Sequence, residues 1–117
     1  MTDIKRWHPS ARMNQMVAYN GLVFTAGQVA EANAGKTVAE QTAEILRTID
    51  NLLAEAGSDK RRILSATIYL ADIATFAEMN IVWDAWVAPD DKPVRATVEA
   101  RLAGPQFAVE IAVIAAA

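Results

Sequence analysis

The sequence predicts an α+β fold, a mixed β-sheet with two helices packed on one face. Three observations predict it: a hairpin signal near the N-terminus, two amphipathic helical patterns, and apolar strand-like runs beside the helices. The predicted order is β-β-α-β-α-β-β, with a short additional strand near Lys5 to His8. With 117 residues and 53% hydrophobic content, the chain fits a single domain over residues 1-117.

A tight turn at Asn20-Gly21 predicts the first strand pair. Both residue types tolerate positive φ, which the favoured two-residue hairpin turns require. The flanking runs 16–19 and 22–26 are apolar and β-prone, so we expect them to pair as antiparallel strands.

The first helix is predicted to begin at a capping box formed by Thr37 and Glu40. Gly57 is predicted to end it. The residues between recur at helical intervals, and the apolar stripe comprises Val38, Thr42, Ile45, Ile49, Leu52, Leu53 and Ala56.

A second capping box, Thr75 with Glu78, predicts the start of the second helix, which ends before Pro89. Its apolar stripe comprises Phe76, Met79, Asn80, Trp83, Trp86 and Val87. Asn80 is the polar member of this stripe. Its amide must therefore be satisfied, either by a structural hydrogen bond or by a ligand.

Strands are predicted over 63–70, 94–102 and 107–115. The first and last of these runs carry apolar residues on both faces, whereas two helices can cover only one face of the sheet. Leaving the second face in water would forfeit several kcal/mol, at about 25 cal/mol per Å² of apolar surface. We therefore expect a homo-oligomer whose neighbouring subunits cover that face.

Composition narrows the functional classes. The formal net charge is -3, and the basic residues form only one local cluster at 60–62, which gives little support for nucleic acid or membrane binding. The absence of cysteine excludes thiolate chemistry and fits a cytoplasmic protein, as does an N-terminus without an apolar leader segment. His8 is the single histidine, for which we expect a structural or surface role, and no metal-ligand spacing is present.

A permanent charge in an apolar strand is the clearest functional signal. Arg95 lies within such a run, so either a protein acid neutralises it or a small anionic ligand does. Glu110 occupies a similar position between Ala108 and Ala112. It either forms a salt bridge with Arg95 or Arg101 or relays protons.

Sequence blocks across nearly the whole chain resemble the reactive intermediate deaminase (RidA/YjgF-type) family, particularly its YoaB-like branch. The blocks, in the family's order, are Asn20-Gly21-Leu22-Val23-Phe24-Thr25-Ala26-Gly27-Gln28, Gln41-Thr42, Ile68-Tyr69-Leu70-Ala71-Asp72, Met79-Asn80 with Trp83-Asp84-Ala85-Trp86, and Pro93-Val94-Arg95-Ala96-Thr97-Val98 with Val109-Glu110-Ile111. The resemblance implies a chorismate-mutase-like fold and a homotrimer with clefts at the subunit interfaces.

The resemblance also implies a site and a reaction. Arg95 matches the family's carboxylate-binding arginine, Gly27 the glycine that lines the cleft, Asn80 its helix asparagine and Glu110 its water-orienting acid. The implied reaction converts small 2-enamino or 2-imino carboxylates, such as 2-aminoacrylate and 2-iminopropanoate, to 2-oxo acids and ammonia. No cofactor is implied, because an imine is already electrophilic.

Two positions depart from well-known family members. Met13 stands where many have a tyrosine, and Thr97 where many have a cysteine. The threonine hydroxyl can still donate a hydrogen bond, so Thr97 stays a substrate-binding candidate, whereas Met13 cannot replace a phenol. Arg12, beside Met13, either adds a second cation for a larger or dianionic substrate or is a solvated surface residue.

Two other functional classes stay open. A non-catalytic member of the same fold would bind a small ligand or a protein partner in the same cleft, because fold similarity does not establish chemistry. A nuclease is the other class, since the family has carried an endoribonuclease label. The net charge and the lone His8 give it little support.

Overall fold

The structure, a computed structural model, describes residues 3–117 and confirms the α+β prediction with seven strands and two α-helices. The elements in chain order are β1 Lys5–Pro9, β2 Asn14–Tyr19, β3 Leu22–Thr25, β4 Gln28–Val29, α1 Val38–Glu55, β5 Ile63–Leu70, α2 Phe76–Trp86, β6 Val94–Glu99 and β7 Val109–Ala116. Strand β4 was not predicted, because two residues are too few to show a strand period.

All strands belong to one mixed sheet. Its order is β1-β2-β3-β7-β5-β6, and β4 pairs with β7 beside β3. Strands β5 and β6 pair in parallel through the α2 crossover, whereas the other pairs within residues 3–117 are antiparallel. Strand β6 is therefore an edge strand that directly follows α2 in the chain.

The two faces of the sheet have different environments. Along β7, Val109, Ile111, Val113 and Ala115 are buried, and they share a core with Ile45, Ile49 and Leu53 of α1 and with Met79 of α2. The alternate residues of β7, from Glu110 to Ala116, are only partly buried. We call these two sides the helix-covered face and the open face.

The predicted start of α1 at Thr37 is confirmed, although only one of the two capping-box hydrogen bonds forms. The Thr37 hydroxyl oxygen accepts a hydrogen bond from the Glu40 backbone N–H at 3.1 Å, which satisfies one of the free donors in the first turn. That hydroxyl also donates to the Glu40 carboxylate at 3.0 Å. Gly57, with φ of +75°, follows the helix where the chain reverses.

The predicted capping box at the start of α2 is wrong. Thr75 makes no side-chain cap and instead donates its hydroxyl to the Asp72 carbonyl at 2.6 Å. A single 3₁₀ turn over Ile73–Thr75 precedes α2, so Thr75 is already in a turn conformation rather than an extended one. Glu78 accepts a hydrogen bond from the Ala39 N–H at 2.9 Å, which joins α2 to the first turn of α1.

A buried glutamine fixes the loop between β6 and β7. The Gln41 amide group donates to the carbonyls of Lys36 and Gln106 at 3.1 and 3.0 Å, and its oxygen accepts from the Ala108 N–H at 2.8 Å. The chain from 100 to 108 is therefore a loop, and the predicted strands 94–102 and 107–115 are observed as 94–99 and 109–116.

Candidate functional site

The Arg95 side chain lies against aromatic rings of α2 on the helix-covered side of β6. Its guanidinium carbon is 5.2 Å from the centre of the Trp83 ring and 5.7 Å from that of the Phe76 ring. Within residues 3–117, the ion pair that forms is the one between His8 and Glu55, and no acid pairs with Arg95. Of the two alternatives for this cation, neutralisation by a protein acid is therefore not observed in the described chain.

Two further predicted residues lie with Arg95. Asn80 is one turn after Phe76 and three residues before Trp83, a spacing that puts it on the helix face that carries both rings. Thr97 is two residues after Arg95 and so points to the same side of β6. Asn80 Oδ1 and Thr97 Oγ1 are both buried and have no hydrogen-bond partner among residues 3–117.

Unpaired buried oxygens are uncommon, since nearly all buried polar atoms in proteins have a partner. We call Arg95, Asn80, Thr97 and the rings of Phe76 and Trp83 the cationic group. It offers a positive charge and two unpaired oxygens, which is the chemistry that a small carboxylate with a second polar atom requires.

Glu110 and Gly27 form a second group. Glu110 lies on the open face of β7, opposite Tyr69 of β5 and Val29 of β4. A Cβ atom on Gly27 would overlap the Glu110 carboxylate, so a larger residue at this position would require the Glu110 side chain to move. Neither of the salt bridges considered for Glu110, with Arg95 or with Arg101, forms in the described part of the chain.

Arg12 and Met13, which precede β2, are both exposed, and Met13 also borders a cavity. Met13 lines a cavity of about 320 Å³ that Gly27 also lines, together with Gln15, Gln28, Val29, Glu31, Glu44 and Thr48. Arg12 is exposed and its backbone N–H contacts the Ser10 hydroxyl at 3.3 Å. The structure thus places Met13 beside Gly27 in a cavity that Glu110 does not line, and leaves Arg12 at the surface. We call Gly27 and Glu110 the acidic group.

The cationic and acidic groups lie on opposite faces of the sheet. Arg95 pairs across the parallel ladder with Ala66, which is buried under the helices. Glu110 pairs with Tyr69, which points the other way because side chains alternate along a strand. One subunit therefore does not bring its own Arg95 and Glu110 into a common cleft.

Sequence reasoning missed how the aromatic residues act. Phe76 and Trp83 were predicted only as part of the apolar stripe of α2, yet they also flank the guanidinium. The sequence did contain a signal for this contact. Phe76, Asn80 and Trp83 share one face of α2, and the next strand of the same β-α-β unit carries Arg95. His8 agrees with the structural interpretation, because its Nε2 lies 2.7 Å from the Glu55 carboxylate and is exposed.

The described residues form neither a metal-binding cluster nor a membrane-spanning helix. Among residues 3–117, no three His, Asp or Glu side chains gather in a way that could hold a metal ion. In the same part of the chain, neither helix has the length and apolarity that crossing a bilayer requires.

Comparison with known proteins agrees with the fold. The family model described as Endoribonuclease L-PSP matches residues 3–117. A RutC family protein of Haemophilus influenzae is 48% identical over 112 residues, which cover 96% of this chain and 97% of that protein. The RutC family protein YoaB of Escherichia coli is 43% identical over 113 residues, 97% of each chain.

A solved structure extends the likeness to three dimensions. The crystal structure of a YjgF family member from Neisseria meningitidis has a TM-score of 0.94 and 52% identity, and the match covers 97% of this chain and 94% of that one. Full-length similarity of this kind, in sequence and in structure, shows that the chain belongs to the RidA/YjgF-type family.

Proposed function

We propose that the protein is an enamine/imine deaminase that hydrolyses small 2-enamino or 2-imino carboxylates to 2-oxo acids and ammonia. The observation that carries the proposal is the Arg95 guanidinium, which has no acidic partner within residues 3–117. A partly buried cation of this kind has a strong preference for an anion that fits its planar fork. Family membership supports the general class of function.

Arg95 would bind the substrate carboxylate through two parallel hydrogen bonds, which fixes the neighbouring imine carbon in position. Asn80 Oδ1, an acceptor without a donor, would accept the N–H of the substrate nitrogen. Thr97 Oγ1 can donate to or accept from the same ligand. These contacts favour a substrate that carries both a carboxylate and an N–H group.

Glu110 would supply the proton transfers. An enamine first tautomerises to the imine, and Glu110 then removes a proton from water as the oxygen attacks the C=N carbon. Glu110 passes this proton to the nitrogen, which gives a carbinolamine with OH and NH₂ on one carbon. Glu110 then takes the proton of that hydroxyl group and transfers it to the nitrogen, so that the C–N bond breaks as C=O forms and ammonia leaves. All atoms are accounted for by substrate and water, so the reaction needs no cofactor.

The proposal includes a homotrimer with the reaction cleft between subunits. In this arrangement Arg95 of one subunit faces Gly27 and Glu110 of its neighbour. Two observations support it: the two groups lie on opposite faces of one sheet, and the open face carries apolar side chains such as Phe24 and Ile114. The cytoplasmic location predicted from the sequence stays a prediction.

The alternative is a non-catalytic member that binds a small carboxylate or a protein partner in the same cleft. It would need the cationic group but not Glu110. The nuclease class finds its support in the description of the matching family model. A net charge of -3 and a single histidine give the nuclease little support.

A trapping assay tests the proposal directly. A dehydratase generates 2-aminoacrylate, semicarbazide traps the imine that forms from it, and the initial rate of semicarbazone formation is followed. We expect wild-type protein to lower this rate and Arg95→Ala to leave it unchanged. Arg101→Ala, which removes a different arginine from the loop after β6, should behave as wild type. Equal trapping with and without wild-type protein would reject deamination of this substrate.

Glu110→Gln separates catalysis from binding. It should preserve the affinity for 2-oxobutanoate, a four-carbon 2-oxo carboxylate, and slow turnover by about 100-fold or more, because only the proton transfers are lost. Full turnover would remove Glu110 from the mechanism. Binding without turnover in the wild type would favour the non-catalytic alternative, and cleavage of an RNA oligonucleotide that depends on His8 would favour the nuclease.

A further inference from the structure

The Arg95 guanidinium is bordered by two aromatic rings rather than by a carboxylate. Trp83 and Phe76 belong to the same helix, seven residues apart, and their ring centres lie 5.2 and 5.7 Å from the guanidinium carbon. Both distances are within the range in which a ring face attracts a cation. The two rings and the cation therefore form one packed unit, which we call the aromatic clamp.

We propose that the aromatic clamp positions Arg95 for carboxylate binding, with Trp83 as the principal positioning residue and Phe76 as a secondary one. The inference rests on the proposed function, since it explains how the carboxylate-binding residue of that site is held. An acid in place of the rings would occupy the N–H groups of the fork. Ring faces attract the charge while leaving those donors free for a ligand.

Trp83 is buried and is held in place by its packing against Trp86. Its side chain is only 6% exposed, and its ring packs at 5.4 Å and 53° against the ring of Trp86. The Trp86 indole N–H donates to the Asp50 carboxylate of α1 at 2.9 Å. This series of contacts joins the clamp to the longest helix of the protein, so Trp83 is a fixed surface against which Arg95 can rest.

Phe76 has a different environment. It is the first residue of α2 and is 40% exposed, so nothing in residues 3–117 holds its outer side. A ring that is free to move restrains a cation less well than a fixed one. We therefore expect substitution of Phe76 to have a smaller effect than substitution of Trp83.

The first test observes the clamp without reference to activity. Protons above an aromatic ring are shifted upfield in NMR spectra by the ring current. The Arg95 Hε resonance, assigned with Arg95→Lys, should be upfield in the wild type, stay upfield in Trp83→Phe and move towards the ordinary arginine position in Trp83→Leu, where only the Phe76 ring remains. An Arg95 Hε at the ordinary position in the wild type would overturn the inference.

The second test separates positioning from a merely structural role. Trp83→Leu should raise KM for 2-iminopropanoate and Kd for 2-oxobutanoate by about 3- to 30-fold, the range expected for loss of a cation–π contact, with kcat changed less than KM. Trp83→Phe retains a ring face and should restore most of the affinity. Phe76→Leu should have a smaller effect, and Trp7→Leu, on β1 at the opposite end of the sheet, should keep wild-type KM.

The outcomes distinguish this inference from the proposed function. Unchanged KM and Kd in Trp83→Leu would overturn the positioning role even if the wild type is a good deaminase. A fall in stability with no change in affinity would likewise assign Trp83 to the core alone. Absence of turnover in the wild type, with the Hε shift and the Kd effect both present, would contradict the deaminase proposal and leave the clamp supported.

Discussion

Arg95 and Glu110 lie on opposite faces of the same sheet, although the proposed reaction requires both in one cleft. The separation follows from strand register, because Arg95 lies beside buried Ala66 whereas Glu110 lies beside Tyr69 on the open face. A second subunit resolves the conflict if it presents its own Glu110 to the first subunit's Arg95. The opposite placement of Arg95 and Glu110 therefore means that the proposed reaction itself requires an oligomer, in addition to the burial of the apolar open face.

Co-expression of two inactive variants tests this arrangement. Chains with Arg95→Ala and chains with Glu110→Gln, mixed equally, should regain about one quarter of wild-type deaminase activity. The reason is that a random trimer would pair an intact Arg95 with a neighbour's intact Glu110 at about one cleft in four. Activity of the purified mixture is the measurement, and each variant alone is the control. No recovery in trimers shown to contain both chains would contradict an inter-subunit cleft.

The open face should hold the oligomer together. Phe24, which is 39% exposed in the single chain, pairs across the sheet with Ile114, and a charge there would oppose burial against another subunit. Phe24→Asp should shift the molecular mass measured by light scattering from trimer to monomer. Asn51→Asp adds the same charge on an exposed position of α1 and should leave the mass unchanged. A monomeric wild type at all concentrations would contradict the prediction.

The contact between Gly27 and Glu110 predicts a coupled effect on stability. Gly27→Ala should lower the free energy of unfolding by about 1 kcal/mol, because the added methyl group makes the flexible Glu110 side chain move. In a Glu110→Ala background the same substitution should cost close to nothing. Denaturant unfolding of the four proteins measures the coupling. Equal costs in both backgrounds would show that the methyl group meets something other than Glu110.

Replacing two neighbouring buried polar residues of α1 by apolar ones should have different effects on the free energy of unfolding. Gln41 makes three hydrogen bonds to backbone groups, so Gln41→Leu should lower the free energy of unfolding by about 3 kcal/mol. The Thr42 hydroxyl is buried without a partner in the described chain, so Thr42→Val should be neutral or stabilising. Thermal and denaturant unfolding check both. A large loss in Thr42→Val would mean that its hydroxyl has a partner in the assembled protein.

Much of the fold could be predicted because its elements carry strong local signals. The stripe of α1, closed by Thr37 and Gly57, gives observed bounds within one residue, and β5 matches its prediction over Ile63–Leu70. The capping box predicted at Thr75 was wrong. Thr75 and Glu78 have the spacing of a capping box, but this spacing does not reveal that a 3₁₀ turn precedes the helix. Long-range contacts such as that of Glu78 with the Ala39 N–H leave no local signal.

The candidate site likewise has parts that local sequence patterns predict and parts that depend on long-range contacts. Helical spacing predicts that Asn80 shares a helix face with Trp83. Strand alternation predicts that the Thr97 and Arg95 side chains lie on the same side of β6. The placement of Glu110 depends on the register of β7 against β5, and a shift of one residue would reverse it. Which residues of two subunits meet is set by the surface of the whole fold, so the sequence pattern of one chain does not reveal it.

Titration calorimetry of 2-oxobutanoate with wild type, Arg95→Lys and Arg95→Met tests the central claim most directly. We expect binding by the wild type, weaker binding by Arg95→Lys, and an affinity lower by about 10- to 100-fold in Arg95→Met, because charge-assisted hydrogen bonds to the carboxylate are lost. Arg101→Met should bind as wild type does. Equal affinity in the wild type and Arg95→Met would contradict the claim that this unpaired guanidinium receives the substrate carboxylate.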